Sequence, residues 1–561
     1  MIEIRRSRAL SAAAIATGAI LAVGLSSPAL AAPQVSTSDT IAAQTAGGPR
    51  GGWGNHHHGG GHHGNPGGHH GNSDKAGSAK LVKAVTAKNI IKHLQALQRI
   101  ADANDGNRAA GTSGHEASAA YVEKVLKRAG YKTERQPFSY DKTNLDRAEF
   151  SQVAPDPVDY EMLEQYYPMD YSGEGDVTAA ATAVDVNLEG DRASTSGCEP
   201  EDFASFTAGN IAVLQRGSCD FAVKAANAEA AGASGVVIFN QGNDVPGDDR
   251  FGVLLGTLGE FGIGIPVVGT SFEIGETFVA AGEELQLRLV IETTTVTVDT
   301  FNVIAKSKKG DPTKQVVVGA HLDGVAEGPG INDNGSGSAA ILEVAVQMSK
   351  IKATPKNQLV FAWWSGEEDG LQGSNYYVSQ LTDEQAANTA LNLNFDMVGS
   401  PNAVNFVYDG DGDAFGEAGP EGSAEIEATF NEWFTSQGVP FKPTAFDGRS
   451  DYFGFIQAGI PAGGLFTGAE GIKTEEEAAE FGGTAGEAYD PCYHAACDDI
   501  TNISKQTLEV NADAIANAVW KFSESKRKGG HGHHGGWNGW DDHWGWGHGH
   551  GDGHGHRWGE K

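Results

Sequence analysis

The sequence predicts an α/β fold in which a mainly parallel, mixed sheet is flanked by helices and interrupted by a second, β-rich domain. Three observations lead to this prediction. Short apolar strands alternate with helical patterns over residues 296–524. Residues 148–291 instead contain short β-rich segments separated by Gly, Asp and Pro. The chain has 561 residues, which is too long for one ordinary domain.

The elements follow in chain order. Apolar residues at helical spacing predict a helix over 90–101, and Ser113 is expected to cap a second helix over 115–129. In the inserted part we expect a strand over 211–214, an Ala-rich helix and a strand over 235–239. The alternating part then predicts strands over 315–320, 358–364, 389–395 and 463–467 and helices over 338–349 and 505–522. Short, continuously apolar strands are typical of a parallel sheet that is covered on both faces.

The beginning of the chain has the pattern of an export signal. Arg5, Arg6 and Arg8 precede an apolar stretch over 9–25, and small residues at Ala29 and Ala31 fit a cleavage site. We therefore predict a signal peptide over 1–31 and a secreted, extracellular protein without a membrane anchor once the signal is removed. Whether the general or the twin-arginine route is used stays open.

Two low-complexity segments flank the predicted folded part. Residues 32–78 are rich in Gly and His, and residues 527–561 are rich in Gly, His and Trp. Neither has apolar periodicity, so both are predicted to be disordered. Their imidazoles could bind metal ions, and the alternative is that they are solvated spacers. The folded parts are then a first domain formed by 79–147 and 292–526, and an inserted domain over 148–291.

Charge and cysteine content restrict the possible partners and the compartment. A formal charge of −33 excludes nucleic acid as a partner, because its phosphates would be repelled, and favours a soluble monomer. The four cysteines fit an oxidising compartment. Three pairings are formally possible, and proximity in the sequence favours Cys198 with Cys219 and Cys492 with Cys497.

Metal-ligand residue types recur where predicted strands end. His321 and Asp323 follow one strand, two adjacent glutamates follow the next, and Asp396 follows a third. Asp333 precedes a predicted helix and His494 lies beside the second cysteine pair. Open α/β sheets place their sites at the carboxyl ends of strands. Imidazoles and carboxylates without a thiolate suit a hydrolytic zinc site, and this many anionic oxygens make two ions plausible.

Two further roles follow from local geometry. Glu367 and Glu368 are adjacent and cannot both bind the metals comfortably, so one is expected to be a ligand and the other a general base. His321 and Asp323 share a face of extended backbone, so Asp323 is expected to orient the imidazole of His321.

The ordered segments HLD, GINDNGSG, SGEEDGLQGS, NFDMVGS, FDGRSDY and YDPCYHAACDD closely resemble the secreted bacterial double-zinc leucine aminopeptidases, relatives of vacuolar aminopeptidase Y. The resemblance covers about 79–147 and 296–524 and implies the zinc exopeptidase fold. It implies that two zinc ions are bound, one by His321 and Asp396 and the other by Glu368 and His494, with Asp333 bridging them.

The same resemblance assigns the catalytic roles. It implies Glu367 as general base and Tyr493 as hydrogen-bond donor to the oxyanion, and it places Arg449 in the substrate pocket. The alternative for Arg449 is a structural ion pair with Asp447 or Asp451. Calcium stays an open alternative as a further cation, because no feature of the sequence specifies a site for it.

Residues 209–240 resemble a protease-associated (PA) domain, with Cys219 paired to Cys198. Such domains can cover a cleft and restrict substrates, or can bind proteins, and a purely structural cover is an equal alternative.

The expected activity is release of amino-terminal residues, with an apolar preference implied by the resemblance alone. The substrates are peptides or proteins with a free amino end, because acidic groups would attract the positive amine. The alternatives are a carboxypeptidase, a one-zinc transferase related to glutaminyl cyclases, and a non-enzymatic binding protein.

Overall fold

In a computed structural model of the protein, residues 70–243, 250–259 and 262–525 are described. The predicted signal peptide, residues 32–69 of the Gly/His-rich segment and the tail over 527–561 lie outside the described residues and stay predictions.

The strands of the described residues are β1 (Lys132–Ala154), β2 (Val158–Asp159), β3 (Tyr166–Pro168), β4 (Gly175–Ala183), β5 (Ile211–Gln215), β6 (Gly235–Phe239), β7 (Val267–Thr270), β8 (Gln286–Lys306), β9 (Asp311–His321), β10 (Asn357–Trp364), β11 (Thr389–Phe395), β12 (Phe406–Tyr408), β13 (Lys442–Thr444) and β14 (Ala462–Phe466). The helices are α1 (His70–Ala84), α2 (Ala87–Asp102), α3 (Ser113–Arg128), α4 (Phe221–Ala230), α5 (Phe272–Ala281), α6 (Gly335–Lys350), α7 (Gln372–Ser379), α8 (Asp383–Asn388), α9 (Ser423–Gln437), α10 (Phe453–Gln457), α11 (Glu475–Phe481) and α12 (Lys505–Glu524). Short 3-10 turns occupy Pro200–Phe203 and Gly282–Glu284.

The larger domain is built on a mixed sheet with the strand order β13-β12-β14-β11-β9-β10-β8. Its central strands β14, β11, β9 and β10 are parallel to their neighbours in this group, whereas β8 pairs antiparallel with β10 and β12 pairs antiparallel with β14. The predicted mainly parallel, mixed sheet is therefore confirmed.

Helices cover both faces of this sheet, as the continuous apolar strands predicted. Alternate residues of β10 point to opposite sides. Phe361 and Trp363 pack in the core cluster that contains α2, α3, α6 and α12, while Val360 and Trp364 pack in the cluster that contains α7 and α10. All four side chains are 0% exposed.

One helix start differs from its prediction. The side chain of Thr112, rather than that of Ser113, accepts the capping hydrogen bond, which comes from the backbone N–H of His115 at 3.4 Å. Thr112 has extended backbone angles, which an N-cap requires, and Ser113 already lies inside α3.

The folded chain also begins earlier than expected. Residues 70–78, predicted to be disordered, belong to α1. This helix packs on α12, where Ser78 Oγ donates to Asn517 Oδ1 at 2.7 Å and Gly77 lies against the ring of Trp520. Burial against another helix supplies the stability that the local composition does not predict.

A long two-stranded ribbon leads from the larger domain into the inserted one. β1 and β8 pair antiparallel along their lengths, from Lys132 opposite Lys306 to Ala154 opposite Gln286. The far half of β8 pairs with β4, which begins a second sheet in the order β4-β5-β6-β7-β3. The predicted boundaries near residues 148 and 291 thus fall inside continuous strands.

The cysteines are joined locally, as Cys198–Cys219 in the inserted domain and Cys492–Cys497 in the larger one. Among the described residues, no helix is both long and apolar enough to cross a membrane.

Candidate metal centre

The five predicted metal ligands belong to five separate segments that meet at one edge of the larger sheet. His321 ends β9, Glu368 lies in the loop after β10, and Asp396 follows β11 directly. Asp333 lies just before α6, and His494 lies in the loop that precedes α12. The carboxyl ends of parallel strands share one edge, which brings residues far apart in sequence together.

Asp333 lies between the two imidazoles. Its Oδ1 is 3.2 Å from Nε2 of His321, and its Oδ2 is 3.4 Å from Nε2 of His494. The residue is 6% exposed, and the peptide bond after it is cis. One carboxylate thus presents a different oxygen to each histidine.

Each imidazole also faces a carboxylate of its own. Nε2 of His321 is 3.2 Å from Oδ1 of Asp396, and Nε2 of His494 is 2.9 Å from Oε2 of Glu368. The other oxygen of Glu368 is buried and has no hydrogen-bond partner among the described residues. A buried oxygen without a partner is costly, so a cation at this position would remove a penalty.

The proton affinities at the centre reflect an excess of buried negative charge. Burial alone would lower the pKa of His494, but hydrogen bonds with Asp333 and Glu368 raise it to about 10. Burial and the charge of Asp333 raise the pKa of Glu368 to about 7. Burial would also raise the pKa of Asp333, but hydrogen bonds with both histidines hold it below its ordinary value. Divalent cations relieve this kind of imbalance by displacing the protons.

The residues present fit zinc. Two imidazoles and three carboxylates are ligands that zinc accepts at hydrolytic sites, and they leave coordination positions for water and substrate.

Glu367 also belongs to this centre, and its carboxylate is close enough to His321 and Asp396 to hold a metal ion with them. Its Oε2 is 3.7 Å from Nε2 of His321, and its side chain is 10% exposed. Burial, together with the charges of Asp396 and Asp451 and against the opposing effect of the His321 imidazole, raises the pKa of Glu367 well above its ordinary value. A carboxylate that takes up a proton readily and borders the metal ligands has the properties of a general base.

Two groups of Asp323 lie near the imidazole of His321. The closest partner of His321 Nδ1 is the main-chain carbonyl oxygen of Asp323, at 3.3 Å, and its carboxylate Oδ1 is farther away, at 3.9 Å. Orientation of the imidazole by the carboxylate of Asp323 stays a prediction, and the backbone carbonyl oxygen is a second group that can contribute to it. The carboxylate itself is fully buried, which raises its pKa to about 6, while the backbone amides of Asp323 and Glu367 oppose this shift.

Tyr493 and Arg449 lie together next to the metal ligands. The ring of Tyr493 stacks on that of His494, with centroids 3.8 Å apart and planes inclined by 23°. Nη2 of Arg449 donates to the hydroxyl oxygen of Tyr493 at 3.3 Å, and its Nη1 pairs with Glu470 at 2.7 Å.

The ion pair expected for Arg449 thus exists but has a different partner. Asp447 accepts a hydrogen bond from the backbone N–H of Arg449 instead, at 3.1 Å, and Asp451 is fully buried. The short side chain of Asp447 accepts a hydrogen bond within its own turn. The guanidinium of Arg449 therefore forms its ion pair with Glu470, which lies in another loop.

A pocket opens at this edge of the sheet. It is lined by Asp333, Glu367, Asp396, Met397, Tyr408, Thr444, Asp447, Arg449, Ser450, Phe466, Ala469 and Tyr493.

Three supporting residues were not identified from the sequence. Ser450 Oγ donates to Asp396 Oδ2 at 2.6 Å, although it lies in the quoted segment FDGRSDY. Asp498, in the acidic pair after Cys497, accepts the backbone N–H of Asp333 at 3.0 Å.

The third is Arg108, which is fully buried and donates to the carbonyl oxygens of Leu322, Pro329 and Gly330, between two of the ligands. A single arginine in a polar connection carries no sequence signal for such a position.

A further group of carboxylates comprises Asp409, Asp411 and Asp413, which follow β12, and Glu427 of α9. Oxygens of Asp409 accept the backbone N–H groups of Gly412, Ala414 and Phe415. The backbone N–H groups of the turn therefore account for Asp409, and calcium stays an open alternative.

Comparisons with known proteins agree with this chemistry. The model of peptidase family M28 matches residues 302–519, and the PA domain model matches residues 177–278. An "Aminopeptidase" of Pseudomonas aeruginosa is 50% identical over 438 residues, covering 78% of this chain and 81% of that protein. "Leucine aminopeptidase 2" of Trichophyton rubrum is 39% identical over 451 residues, covering 79% of this chain and 86% of that protein.

Solved structures are similar as well. An aminopeptidase from Aneurinibacillus sp. strain AM-1 superposes with a TM-score of 0.62 at 26% identity, covering 80% of this chain and 97% of that one. BSAP, a zinc aminopeptidase from Bacillus subtilis, superposes with a TM-score of 0.53 at 25% identity, covering 78% of this chain and 94% of that one.

Proposed function

The chain belongs to peptidase family M28, and from that premise we propose that it is a secreted two-zinc aminopeptidase. In this proposal one zinc ion is held by His321 and Asp396, the other by Glu368 and His494, and Asp333 bridges them.

The single observation that carries the proposal is the position of the Asp333 carboxylate. Its two oxygens face two different histidines at 3.2 and 3.4 Å, and each histidine faces a further carboxylate. A site for one ion would need only one histidine with its own carboxylate and one oxygen of Asp333. The symmetry of the donors about Asp333 therefore favours two ions over the one-zinc transferase alternative.

When bound, the two ions would polarise the scissile carbonyl and lower the pKa of the attacking water. Glu367 accepts a proton from that water and returns it to the leaving amine. Tyr493 donates a hydrogen bond to the developing oxyanion. Since Arg449 donates to the hydroxyl oxygen of Tyr493, and the ring stacks on His494, the phenolic hydrogen is free to point at the substrate.

The charges in the pocket favour the amino end of a peptide. Four carboxylates line it, whereas Arg449 is its only basic residue among those described, and that guanidinium is paired with Glu470. Asp333 and Asp396 are proposed metal ligands, so Glu367 and Asp447 are the lining carboxylates that remain to attract a positive amine. The guanidinium of Arg449 is paired with Glu470 and is therefore not left to bind a terminal carboxylate.

The pocket also has an apolar part, which supports a preference for apolar first residues. Tyr408, Phe466, Met397 and Ala469 contribute to its lining. A hydrophobic pocket discriminates by about 1–3 kcal/mol per methylene, so leucyl substrates should be preferred to alanyl ones.

The test combines metal analysis with a substrate panel. Purified protein should contain two zinc ions per chain and hydrolyse leucyl-p-nitroanilide faster than alanyl-p-nitroanilide. The N-acetylated leucyl substrate is the matched control and should not be hydrolysed. One zinc ion with cyclisation of glutaminyl peptides would instead support the transferase, and two zinc ions without turnover of any free-amine substrate would support a binding protein.

Secretion, a monomeric state and metal binding by the His-rich segments belong to the proposal as well. The predicted signal peptide and the two disulfides support export.

A further inference from the structure

The loop between β10 and α7 carries both glutamates of the candidate site. The loop spans residues 365–371, and both glutamates lie in its part from Ser365 to Asp369, whose first and last residues are called the two ends here. A general base must be held to within about half an ångström of its productive position. What fixes the two ends of this loop therefore matters for the proposed reaction.

The first end is held by β8. Ser365 Oγ lies 2.7 Å from Thr300 Oγ1, and both side chains are buried. The backbone N–H of Ser365 donates to Asn302 Oδ1 at 3.1 Å. The amide of Asn302 also donates to the carbonyl oxygen of Gly373 at 2.8 Å, so the same residue fixes the start of α7.

The second end is held by β1. Nζ of Lys142 lies 2.6 Å from Oδ1 of Asp369, and the hydroxyl of Tyr140 donates to Oδ2 of the same carboxylate. The Asp369 side chain is only 10% exposed, so this pair is better shielded from water than an ordinary surface ion pair. Tyr140 also lies against Gly366, where a Cβ atom would meet its hydroxyl oxygen at 3.0 Å.

The four ribbon residues that make these contacts lie on one face of the ribbon. In the ribbon, Phe138 is opposite Thr300 and Tyr140 is opposite Val298. Directly opposed residues of antiparallel strands share a face, as do residues two apart on one strand. The set on the common face is Tyr140, Lys142, Thr300 and Asn302.

We propose that this face of the β1–β8 ribbon is a positioning frame for the loop that carries Glu367. The inference rests on the proposed function and names positioning residues for it. Because the same two strands continue into the inserted domain, that domain is joined without a break to the structure that holds the catalytic loop. The inserted domain is therefore connected to the frame by two paired strands and not by a flexible linker.

The experiment compares two surface substitutions on the ribbon, Lys142→Met and Arg147→Met. Arg147 is the matched control, because it also lies on β1 and forms ion pairs, with Glu149 of β1 and Glu292 of β8. These ion pairs do not involve the loop. Lys142→Met should lower kcat ~10- to 100-fold with KM and zinc content unchanged, since a displacement of about 1 Å costs that much. Lys142→Arg should recover most of the activity, and Arg147→Met should change kcat less than about 2-fold.

Two further measurements separate positioning of Glu367 from general stability. In a Glu367→Ala background, Lys142→Met should have no further effect on kcat, because the group that it positions is gone. Hydrogen exchange of peptides covering 365–369 should be faster in Lys142→Met than in Arg147→Met.

Equal kcat and equal exchange in the two single variants would overturn the frame, as would independent effects of Lys142→Met and Glu367→Ala. If the unmodified protein is inactive on every free-amine substrate, the proposed function fails, and the exchange comparison still decides whether the ribbon holds the loop.

Discussion

Both domains contain parallel strands whose carboxyl ends carry buried polar residues, yet the chemistry of the two edges differs. In the inserted domain these residues are neutral: Gln215 ends β5, Asn240 follows β6 and Thr270 ends β7. Gln215 Nε2 donates to the carbonyl oxygens of Asn187 and Gln241, and Asn240 Nδ2 donates to that of Gly252. The side chains of these three residues thus find hydrogen-bond partners within the protein itself.

The edge of the larger sheet carries ionisable groups in place of amides. Carboxylates outnumber imidazoles there, and one oxygen of Glu368 has no partner among the described residues. A strand-end position alone therefore does not specify a reactive site. An edge becomes reactive when its buried charges need a partner that the chain does not provide. The predictions below test this difference, in order of decreasing expected effect.

Asp333→Ala should cause the largest loss. One carboxylate faces both histidines, so its removal should reduce the content of both zinc ions. The loss of kcat/KM on leucyl-p-nitroanilide should exceed the ~10²–10⁴-fold that removal of a general base costs. Zinc analysis by mass spectrometry is the accompanying measurement, and full retention of two ions would contradict the bridging role.

Glu367→Ala should lower kcat by ~10²–10⁴-fold while both zinc ions remain bound, because Glu367 is proposed as the general base and Glu368 as the ligand. Glu367→Gln is the matched variant of equal size and should be similarly inactive. Loss of zinc from either variant would reverse the assignment of the two adjacent glutamates.

Ser450→Ala should have a smaller effect. It removes the hydrogen bond to Asp396 Oδ2, and loss of such a supporting contact typically costs ~10- to 100-fold in metal affinity. Zinc competition with a chelator measures this change. An unaltered affinity would show that Asp396 is held well enough by its backbone.

Removal of zinc should make stability depend on pH in a definite direction. The folded-state pKa values of His494 and Glu368 are raised to about 10 and about 7, from 6.5 and 4.5. Their contributions to the free energy of unfolding are fully present below the unfolded-state pKa values. They are lost as the pH rises through the folded-state pKa values. The Tm of chelator-treated protein should therefore decrease from pH 6.5 to pH 10 more than that of the zinc-loaded protein. Parallel Tm curves would contradict this explanation of the charged edge.

Gln215→Met should have the smallest effect on activity. The side chain is fully buried and hydrogen-bonded within the inserted domain, so its loss should cost about 1–3 kcal/mol of stability. kcat on leucyl-p-nitroanilide should stay within about 2-fold of the unmodified value. A large decrease in kcat at unchanged folding would show that the neutral edge also takes part in the reaction.

Much of the fold could be predicted because it depends on local pattern. β6 and β11 have the bounds that the sequence predicts, and α6 and α12 differ by at most three residues at either end. A continuous apolar run marks a central strand such as β6 whichever neighbours it has. The start of α1 and the cap of α3 could not be predicted in the same way, because helix packing and backbone angles decided them.

By itself, the sequence determined the types of residue at the strand ends, the two local cysteine pairs and the family resemblance that the comparisons confirm. The tertiary structure decided which oxygen of Asp333 faces which histidine, and that the backbone of Asp323 approaches His321 more closely than its carboxylate does. It also decided that Arg449 pairs with Glu470 and that the ribbon holds the catalytic loop. The reason is physical: a strand end follows from a few neighbouring residues, whereas a contact between distant segments depends on how whole elements pack.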